Sequence, residues 1–366
     1  MKKTVLVVSI PIVPPWNQAS KNFAINLARH SRHDFILMST HNGREGNVFF
    51  ERFYSSKNID LTSFQKIFML MKFLLRKNSG IDILHFVFEP NPAALSIWSW
   101  VAKIMRKPCV HTLLNLLDER QDCRKLLFAD RITVCTNKVL RQLREKQVEN
   151  VSLIVPGIHV ENFARREKRP EIFKKYGLPE RPIILFPGTY YPHHGMETMF
   201  ESFLKIIKTR NDVSLVSACR VRTPLEESEE ARFKKKALEM RLQDKIFFLR
   251  IVPDMAELLS LSDVCVFPPS LLMDKASVPL IVLEAAAAEL PVVATNIPTL
   301  DEIKCLHPDF TVPPLDSSLL AEKILQLLRD KNLSRSVAAW QKEAVTRYYD
   351  ARNMAQEYDL LYDRLI

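Results

Sequence analysis

The chain has 366 residues, and 47% of them are hydrophobic, which is enough for two domains with separate cores. Its formal net charge of +10 is uneven: residues 1–165 contain 24 basic and 13 acidic side chains, whereas residues 166–366 contain 28 and 29. No helix-turn-helix, zinc-finger or aromatic strand motif accompanies the basic half, which argues against nucleic acid as a partner. An anionic membrane surface explains this charge better.

The amino terminus, MKKTVLVVSIPIVPPW, predicts a first strand rather than a signal peptide. Its apolar run is only Val5–Val8 plus Ile10, and no small-residue cleavage site follows. No apolar run in the chain reaches the ~18 residues of a transmembrane helix. The six cysteines are scattered, which suits reduced thiols in the cytosol. We therefore expect a cytoplasmic protein, peripheral on the inner face of the membrane.

Strand and helix patterns alternate along the chain, as in two doubly wound α/β sheets. The strands predicted in the first half are Thr4–Ile10, Phe35–Ser39, Asp82–Phe88, Pro108–Thr112, Arg131–Cys135 and Val151–Val155. Those predicted in the second half are Pro182–Pro187, Val213–Ser217, Lys245–Arg250, Asp263–Phe267 and Pro291–Thr295. This pattern predicts domains at 1–165 and 181–343, with a charged linker at 166–180 and a last helix at 344–366.

The segment Phe64–Lys77, FQKIFMLMKFLLRK, contains no acid, and on a helix its polar side chains share one wedge of roughly 140°. Two interpretations stand equal. The helix lies in a membrane interface, or it packs in the core beneath loops. The first interpretation predicts four membrane-contacting cations: Lys66, Lys72, Arg76 and Lys77.

The stretch Ala276–Ile303 carries the most functional information. It predicts a loop, a helix that opens at Pro279 and a buried strand, with Glu284 as one acid among apolar neighbours. A lone charge in such a place needs a partner, and a helix N-terminus attracts phosphates. The layout resembles the nucleotide-sugar site of retaining glycosyltransferases of the GT-B fold, in the large family numbered four. The resemblance implies that Glu284 holds the donor ribose and that the outward amides of Leu280 and Ile281 bind the donor. The alternative is an ordinary helix with a solvated glutamate.

The resemblance covers nearly the whole chain and implies two Rossmann-like domains that face a central cleft. In the first, the strand-plus-loop Val151–Phe163 keeps the family's proline, glycine and isoleucine but has His159 where aspartate is usual. The last helix resembles the segment that crosses back to complete the acceptor domain. Three further blocks resemble the family, namely Asp130–Thr136, Thr311–Ala321 and Ile183–Gly195, the last of which matches the donor phosphate loop.

Several family positions are altered in this chain. The amino-terminal loop Pro14–Lys21 contains no glycine where the family is glycine-rich. In the loop that begins at Gly188, the arginine and lysine that pair with the donor diphosphate fall at Thr189 and His194. His194 can still donate a hydrogen bond to phosphate, and the possible substitutes for the missing cations are His193, Arg220 and Arg222. The alternative for the histidine pair is a solvated loop.

Two further departures concern the sugar and the catalytic base. The first acid of the family's acidic pair would stand at Ala276, and Asp274 is two residues away. The family's catalytic histidine would fall near Leu114, while His111 lies in the preceding strand and is expected to be packed. Glu89, at the end of a predicted strand, is the other catalytic candidate beside His194.

The resemblance implies an enzyme that moves a sugar from a nucleotide-sugar donor to a hydroxyl acceptor with retention of configuration. A lipid-linked or cell-surface glycan would suit the cationic first half. No metal and no other cofactor is expected, because the chain has neither an Asp-x-Asp diphosphate site nor a His/Cys cluster. Two alternatives remain open: a catalytically silent GT-B relative that works as the partner of an active transferase, and a nucleotide-sugar epimerase of the same fold.

Overall fold

The computed structural model describes residues 1–14, 16, 18–55, 72, 75, 80–89, 92–115, 128–272 and 276–366. The chain divides into two compact units. The first comprises Met1–His159, Asp274–Val278 and Tyr349–Ile366, and the second comprises Val160–Met273 and Pro279–Tyr348. The predicted linker at 166–180 contains a helix, Pro170–Tyr176, and lies within the second unit.

The first unit is built on an eight-stranded sheet. Its strands are β1 (Thr4–Val8), β2 (Asp34–Ser39), β3 (Gly43–Glu45), β4 (Val48–Arg52), β5 (Ile83–Val87), β6 (Cys109–Leu113), β7 (Arg131–Val134) and β8 (Val151–Leu153). Their order is β3-β4-β2-β1-β5-β6-β7-β8, and all neighbours are parallel except the β3–β4 pair. All six strands predicted in this half are present. The β3–β4 hairpin was not predicted, although Gly46, at φ 59°, supplies its turn.

Helices cover both faces of this sheet. Their bounds are α1 (Ala19–His30), α2 (Pro92–Met105), α3 (Asn137–Glu145) and the last helix of the chain, α11 (Ala351–Asp363). Apolar side chains of α1 and α11 form one core, and α2 contributes Trp98 and Val101 to the core on the other face. Gly157 lets α11 approach, because a Cβ there would lie 2.7 Å from the Cα of Ala351. The family's glycine at this position therefore has a structural reason.

A buried polar cluster ties α11 to the strands. Both ring nitrogens of His85 have partners, the hydroxyls of Tyr362 and Thr112, each at 2.6 Å. The hydroxyl of Tyr358 lies 2.9 Å from that of Thr112 and 2.7 Å from that of Thr133. Burial lowers the pKa of His85 to about 3, so its ring is neutral. The cluster satisfies its own hydrogen bonds and acts as a structural element.

The second unit contains a six-stranded sheet in which all neighbours are parallel. Its strands are β9 (Ile183–Phe186), β10 (Ser214–Ala218), β11 (Ile246–Leu249), β12 (Val264–Phe267), β13 (Val292–Thr295) and β14 (Thr311–Val312), in the order β11-β10-β9-β12-β13-β14. The five strands predicted in this half are all present, and the two-residue β14 was not predicted.

The helices of the second unit follow the alternation that the sequence predicts. They are α4 (Pro170–Tyr176), α5 (Met196–Thr209), α6 (Pro224–Glu239), α7 (Met255–Leu261), α8 (Leu280–Ala287), α9 (Ser317–Arg329) and α10 (Lys331–Tyr348). Phe203, Phe233 and Ile324, from α5, α6 and α9, belong to one core against the sheet. The predicted helix at 344–366 is in fact two helices. The helix α10 ends at Tyr348, and Asp350 caps α11 by accepting a hydrogen bond from the Arg352 amide.

Candidate functional site

Most of the predicted site residues lie at the carboxyl edge of the second unit's sheet. Because its strands are parallel, the segments that follow β9, β10 and β12 leave at the same edge. After β9 comes the loop that begins at Gly188, and after β10 comes Arg220. The segment after β12 leads to the N-terminus of α8, whose second turn carries Glu284.

Backbone contacts fix the loop after β9 against the segment after β12. Gly195, at φ 97°, is the N-cap of α5, and a Cβ there would lie 2.5 Å from the carbonyl oxygen of Pro268. The His193 carbonyl accepts a hydrogen bond of 2.8 Å from the amide of Ser270. His193 itself is exposed and has φ 68°, a left-handed conformation that costs strain outside glycine. Gly188 passes the Phe186 ring, from which a Cβ would lie 2.7 Å.

His194 is held inside this loop rather than in solvent. Its side chain is buried, and Nδ1 lies 2.8 Å from the hydroxyl of Thr189, which is also buried. The Tyr191 ring packs beside it, with centroids 5.7 Å apart. The alternative of a solvated loop is therefore wrong for His194, although it fits His193. The two positions that replace the family's arginine and lysine are hydrogen-bonded to each other, a link that sequence reasoning missed.

Glu284 is a buried carboxylate without a hydrogen-bond or ion-pair partner among the described residues. It is 9% exposed and lies near Cys265 of β12, whose pKa is raised by burial and then by the charge of Glu284. Burial raises the pKa of Glu284 to about 7. The alternative of a solvated glutamate is wrong for this side chain. A carboxylate that the described residues leave unpaired at such a site is available for a ligand's hydroxyl groups.

The N-terminus of α8 lies one turn from Glu284. Pro279 is its N-cap and provides no side-chain cap, and the first turn has no acid. Within the described part of the chain, the amides of Leu280 and Ile281 donate no hydrogen bond. Such amides at a helix N-terminus favour an anion.

Arg220 adds a cation to this edge. It is half-buried two residues after β10, and its guanidinium makes no ion pair or hydrogen bond with any residue described in the structure. The pKa of Arg220 is lowered to about 10, because burial and the charge of Arg222 lower it more than Glu226 raises it. Arg222 is exposed, and its amide donates to Glu226, which belongs to the capping box of α6.

The other predicted site residues lie in the first unit. His111 is buried in β6, and its Nε2 lies 3.0 Å from the Phe88 carbonyl oxygen, so it is the packed side chain that was expected. Burial lowers its pKa to about 4. Glu89 is exposed two residues after β5. Ser277, next to the position of the missing acid, donates its amide and hydroxyl to the Leu114 carbonyl. Asp274 lies outside the described residues.

Of the predicted membrane-contacting cations, Lys66, Arg76 and Lys77 lie outside the described residues, as does most of Phe64–Lys77. The ammonium of Lys72 is 5.0 Å from the centre of the Phe53 ring and 3.7 Å from a Glu51 carboxylate oxygen. Lys72 thus contacts its own unit. Among the described helices, none is long and apolar enough to cross a bilayer.

Comparison with known proteins shows which family the chain resembles. The family model described as glycosyl transferases, group 1, matches residues 168–344. The match covers just under half of the 366 residues. The predicted resemblance to glycosyltransferases is thereby confirmed, and the expected enzyme class agrees with it.

A curated relative, N-acetyl-alpha-D-glucosaminyl L-malate synthase of Bacillus anthracis, is 22% identical over 239 residues, which cover 64% of this chain and 59% of the relative. A glycosyltransferase structure from Rickettsia africae has a TM-score of 0.76 at 19% identity, over 100% of this chain and 98% of that chain. Anabaena HepE in complex with UDP-glucose has a TM-score of 0.77 at 14% identity, over 99% and 100%. These structural likenesses confirm the predicted GT-B fold.

Proposed function

We propose that this protein is a glycosyltransferase that binds a nucleotide-sugar donor at the carboxyl edge of the second unit's sheet. The observation that carries the proposal is the buried Glu284 carboxylate, which has no partner in the described residues and lies one turn from uncapped helix amides. The diol hydroxyls of a ribose can donate hydrogen bonds to the Glu284 carboxylate, and phosphate oxygens can accept hydrogen bonds from the helix amides. The UDP-glucose held by Anabaena HepE contains both.

Each group has a defined task in this proposal. Glu284 accepts hydrogen bonds from the ribose hydroxyls. The amides of Leu280 and Ile281, the guanidinium of Arg220 and the ring of His194 face the diphosphate, whose negative charge grows as the sugar leaves. Catalysis then rests on positioning and on stabilising this leaving group, without a metal. Retention of configuration follows from the family resemblance.

A thermal-shift screen tests the donor site directly. Wild-type protein is melted with UDP-, GDP-, ADP- and CMP-linked sugars, because a ligand that binds only the folded state raises Tm by mass action. We expect one nucleotide class to raise Tm and Glu284→Ala to lose the rise. Glu230→Gln is the matched control, since Glu230 is another buried glutamate of the same unit with protein partners. Equal shifts in wild type and Glu284→Ala would refute the ribose assignment.

The acceptor side is proposed to be a lipid-linked or cell-surface glycan, with the first unit against the inner face of an anionic membrane. The excess of basic residues in the first 165 positions supports this. Co-sedimentation with phosphatidylserine vesicles should be lost when Lys66, Arg76 and Lys77 are replaced by glutamate, since each is worth about 1 kcal/mol near such a surface. The control makes the same charge change on α9 and α10, at Arg329, Lys331 and Arg335. Wild type that fails to sediment at low salt would contradict the membrane contact.

The silent-partner alternative is favoured by one observation, the loss of the family's arginine and lysine at Thr189 and His194. The same screen separates it from the enzyme. A protein that binds no nucleotide sugar, yet purifies with another transferase, would support this alternative and contradict the proposed activity.

A further inference from the structure

Thr189 is buried, and both hydrogen bonds of its hydroxyl are defined. The oxygen accepts a long hydrogen bond, 3.4 Å, from the Tyr191 amide, and it lies 2.8 Å from Nδ1 of His194. A backbone amide can only donate, so this contact uses one lone pair and leaves the hydroxyl hydrogen free. With Thr189 3% exposed, the only acceptor in the described structure for that hydrogen is Nδ1 of His194.

From this geometry we infer that Thr189 is a positioning residue that fixes the neutral His194 ring with its proton on Nε2. The inference rests on the proposed function, because it specifies how His194 meets the donor diphosphate. In the neutral ring the Thr189 hydroxyl donates to Nδ1, which leaves Nε2–H as the donor. In the charged ring Nδ1–H donates back to the hydroxyl oxygen and Nε2–H remains, while the hydroxyl hydrogen then has no acceptor among the described residues. A hydroxyl permits both states because it donates and accepts.

In place of the family's two cations, the chain therefore has the Nε2–H of His194, which can donate a hydrogen bond even when the imidazole is uncharged. A carbonyl or carboxylate at position 189 would require Nδ1–H, and the neutral ring would then offer phosphate a bare Nε2 that repels it. Thr189 avoids this. The positive charge of His194 still disappears at high pH, but its hydrogen bond to a phosphate oxygen does not.

A spectroscopic measurement tests the inference without any activity assay. In protein labelled with ¹⁵N-histidine, long-range proton–nitrogen spectra above the imidazole pKa identify which ring nitrogen carries the proton, and His194→Gln assigns the signal. We expect Nε2–H in the wild type and in Thr189→Ser. Thr189→Val, which has the same shape without the hydroxyl, should show Nδ1–H or a mixture. A wild type with Nδ1–H would overturn the inference.

Binding of UDP links the tautomer to the site. Thr189→Val should weaken UDP binding about tenfold near pH 8, and much less near pH 6, where the charged ring holds both protons. Thr189→Ser should restore UDP affinity to that of the wild type. Other groups at this edge also titrate or carry charge, namely Arg220, Arg222, Glu284 and the UDP phosphates. Their contribution is the same in the wild type and in Thr189→Val. The ratio of dissociation constants, variant to wild type, therefore isolates Thr189.

The outcomes separate the inference from the proposed function. Equal losses in Thr189→Val at both pH values, or a Thr189→Ser variant as weak as Thr189→Val, would overturn the positioning role while leaving donor binding intact. Wild type that binds no UDP at either pH would contradict UDP as the donor nucleotide, and the tautomer spectrum would still decide the inference.

Discussion

Two buried glutamates of the second unit, Glu230 on α6 and Glu284 on α8, differ in their surroundings. Burial raises the pKa of Glu230, but hydrogen bonds from Arg250 and Lys234 outweigh it and bring the pKa below its usual range. The Arg250 guanidinium lies 2.5 Å from its carboxylate and the Lys234 ammonium 3.2 Å. Glu284 has no such partner in the described residues, and its pKa rises to about 7. A buried charge with protein partners serves the fold, whereas one without them is available for a ligand.

The largest effect is expected at His194, which faces the same proposed donor as Glu284 and is assigned a role in catalysis. His194→Ala should lower turnover about a hundredfold or more, because it removes a donor to the leaving diphosphate. His194→Lys should preserve or raise turnover, since it restores the family's residue. Steady-state kinetics with the donor found in the screen measures both. An active wild type indifferent to both substitutions would remove His194 from the mechanism.

Glu284 comes next, because its effect is on donor affinity. Glu284→Ala should weaken nucleotide-sugar binding by roughly 1.5–3 kcal/mol, the loss of charged hydrogen bonds to the ribose. Isothermal titration calorimetry measures the difference. Unchanged donor affinity in a folded variant would contradict the role assigned to this carboxylate.

The matching substitution Glu230→Gln should affect stability instead. It weakens the pairs with Arg250 and Lys234 and should cost about 1–2 kcal/mol of unfolding free energy, with Arg250 partly exposed and screened. Because the folded-state pKa of Glu230 lies below its unfolded value, this stability is present above the unfolded pKa and is lost as pH falls through the folded pKa. Urea unfolding at two pH values tests this. Weaker donor binding in this variant would contradict the claim that Glu230, unlike Glu284, serves only the fold.

The smallest effect is expected in the first unit. Tyr358→Phe deletes the hydroxyl that bonds Thr112 and Thr133 and should cost about 1 kcal/mol of stability without altering donor affinity. Thermal melting and titration of the same preparation give both quantities. Lost donor affinity would show that the buried cluster around His85 serves more than the fold.

Most of the fold follows from the sequence, since all eleven predicted strands are present. Strands such as β9 and β12 are continuous apolar runs, typical of buried parallel strands. The elements missed are short or interrupted. β3 is exposed along its whole length, β14 has two residues, and the break at Asp350 depends on a cap that helical periodicity does not reveal.

The site was less predictable than the fold. Glu284 and the amides of Leu280 and Ile281 were found because a family pattern points to them. The hydrogen bond between Thr189 and His194 was not, because it depends on the left-handed turn at His193 and on the anchoring of that loop by Ser270. Residue types alone indicate a lost arginine and lysine, and the folded loop shows how the replacements interact.

The central claim is that Glu284 costs the free protein stability and serves a ligand, and Glu284→Gln tests it. In the folded state this carboxyl keeps its proton up to about pH 7, whereas its ordinary pKa is 4.5. Stability therefore falls as pH rises between these values and stays lower above them, by up to roughly 3 kcal/mol. A neutral glutamine removes this penalty and also the charged acceptor for the ribose.

The decisive measurement is the Tm of wild type and Glu284→Gln near pH 8, with and without the nucleotide sugar found in the screen. We predict that the free variant melts above the free wild type and that the ligand-induced rise in Tm is lost or greatly reduced. A free variant that melts below the wild type and keeps the full ligand-induced rise would contradict it.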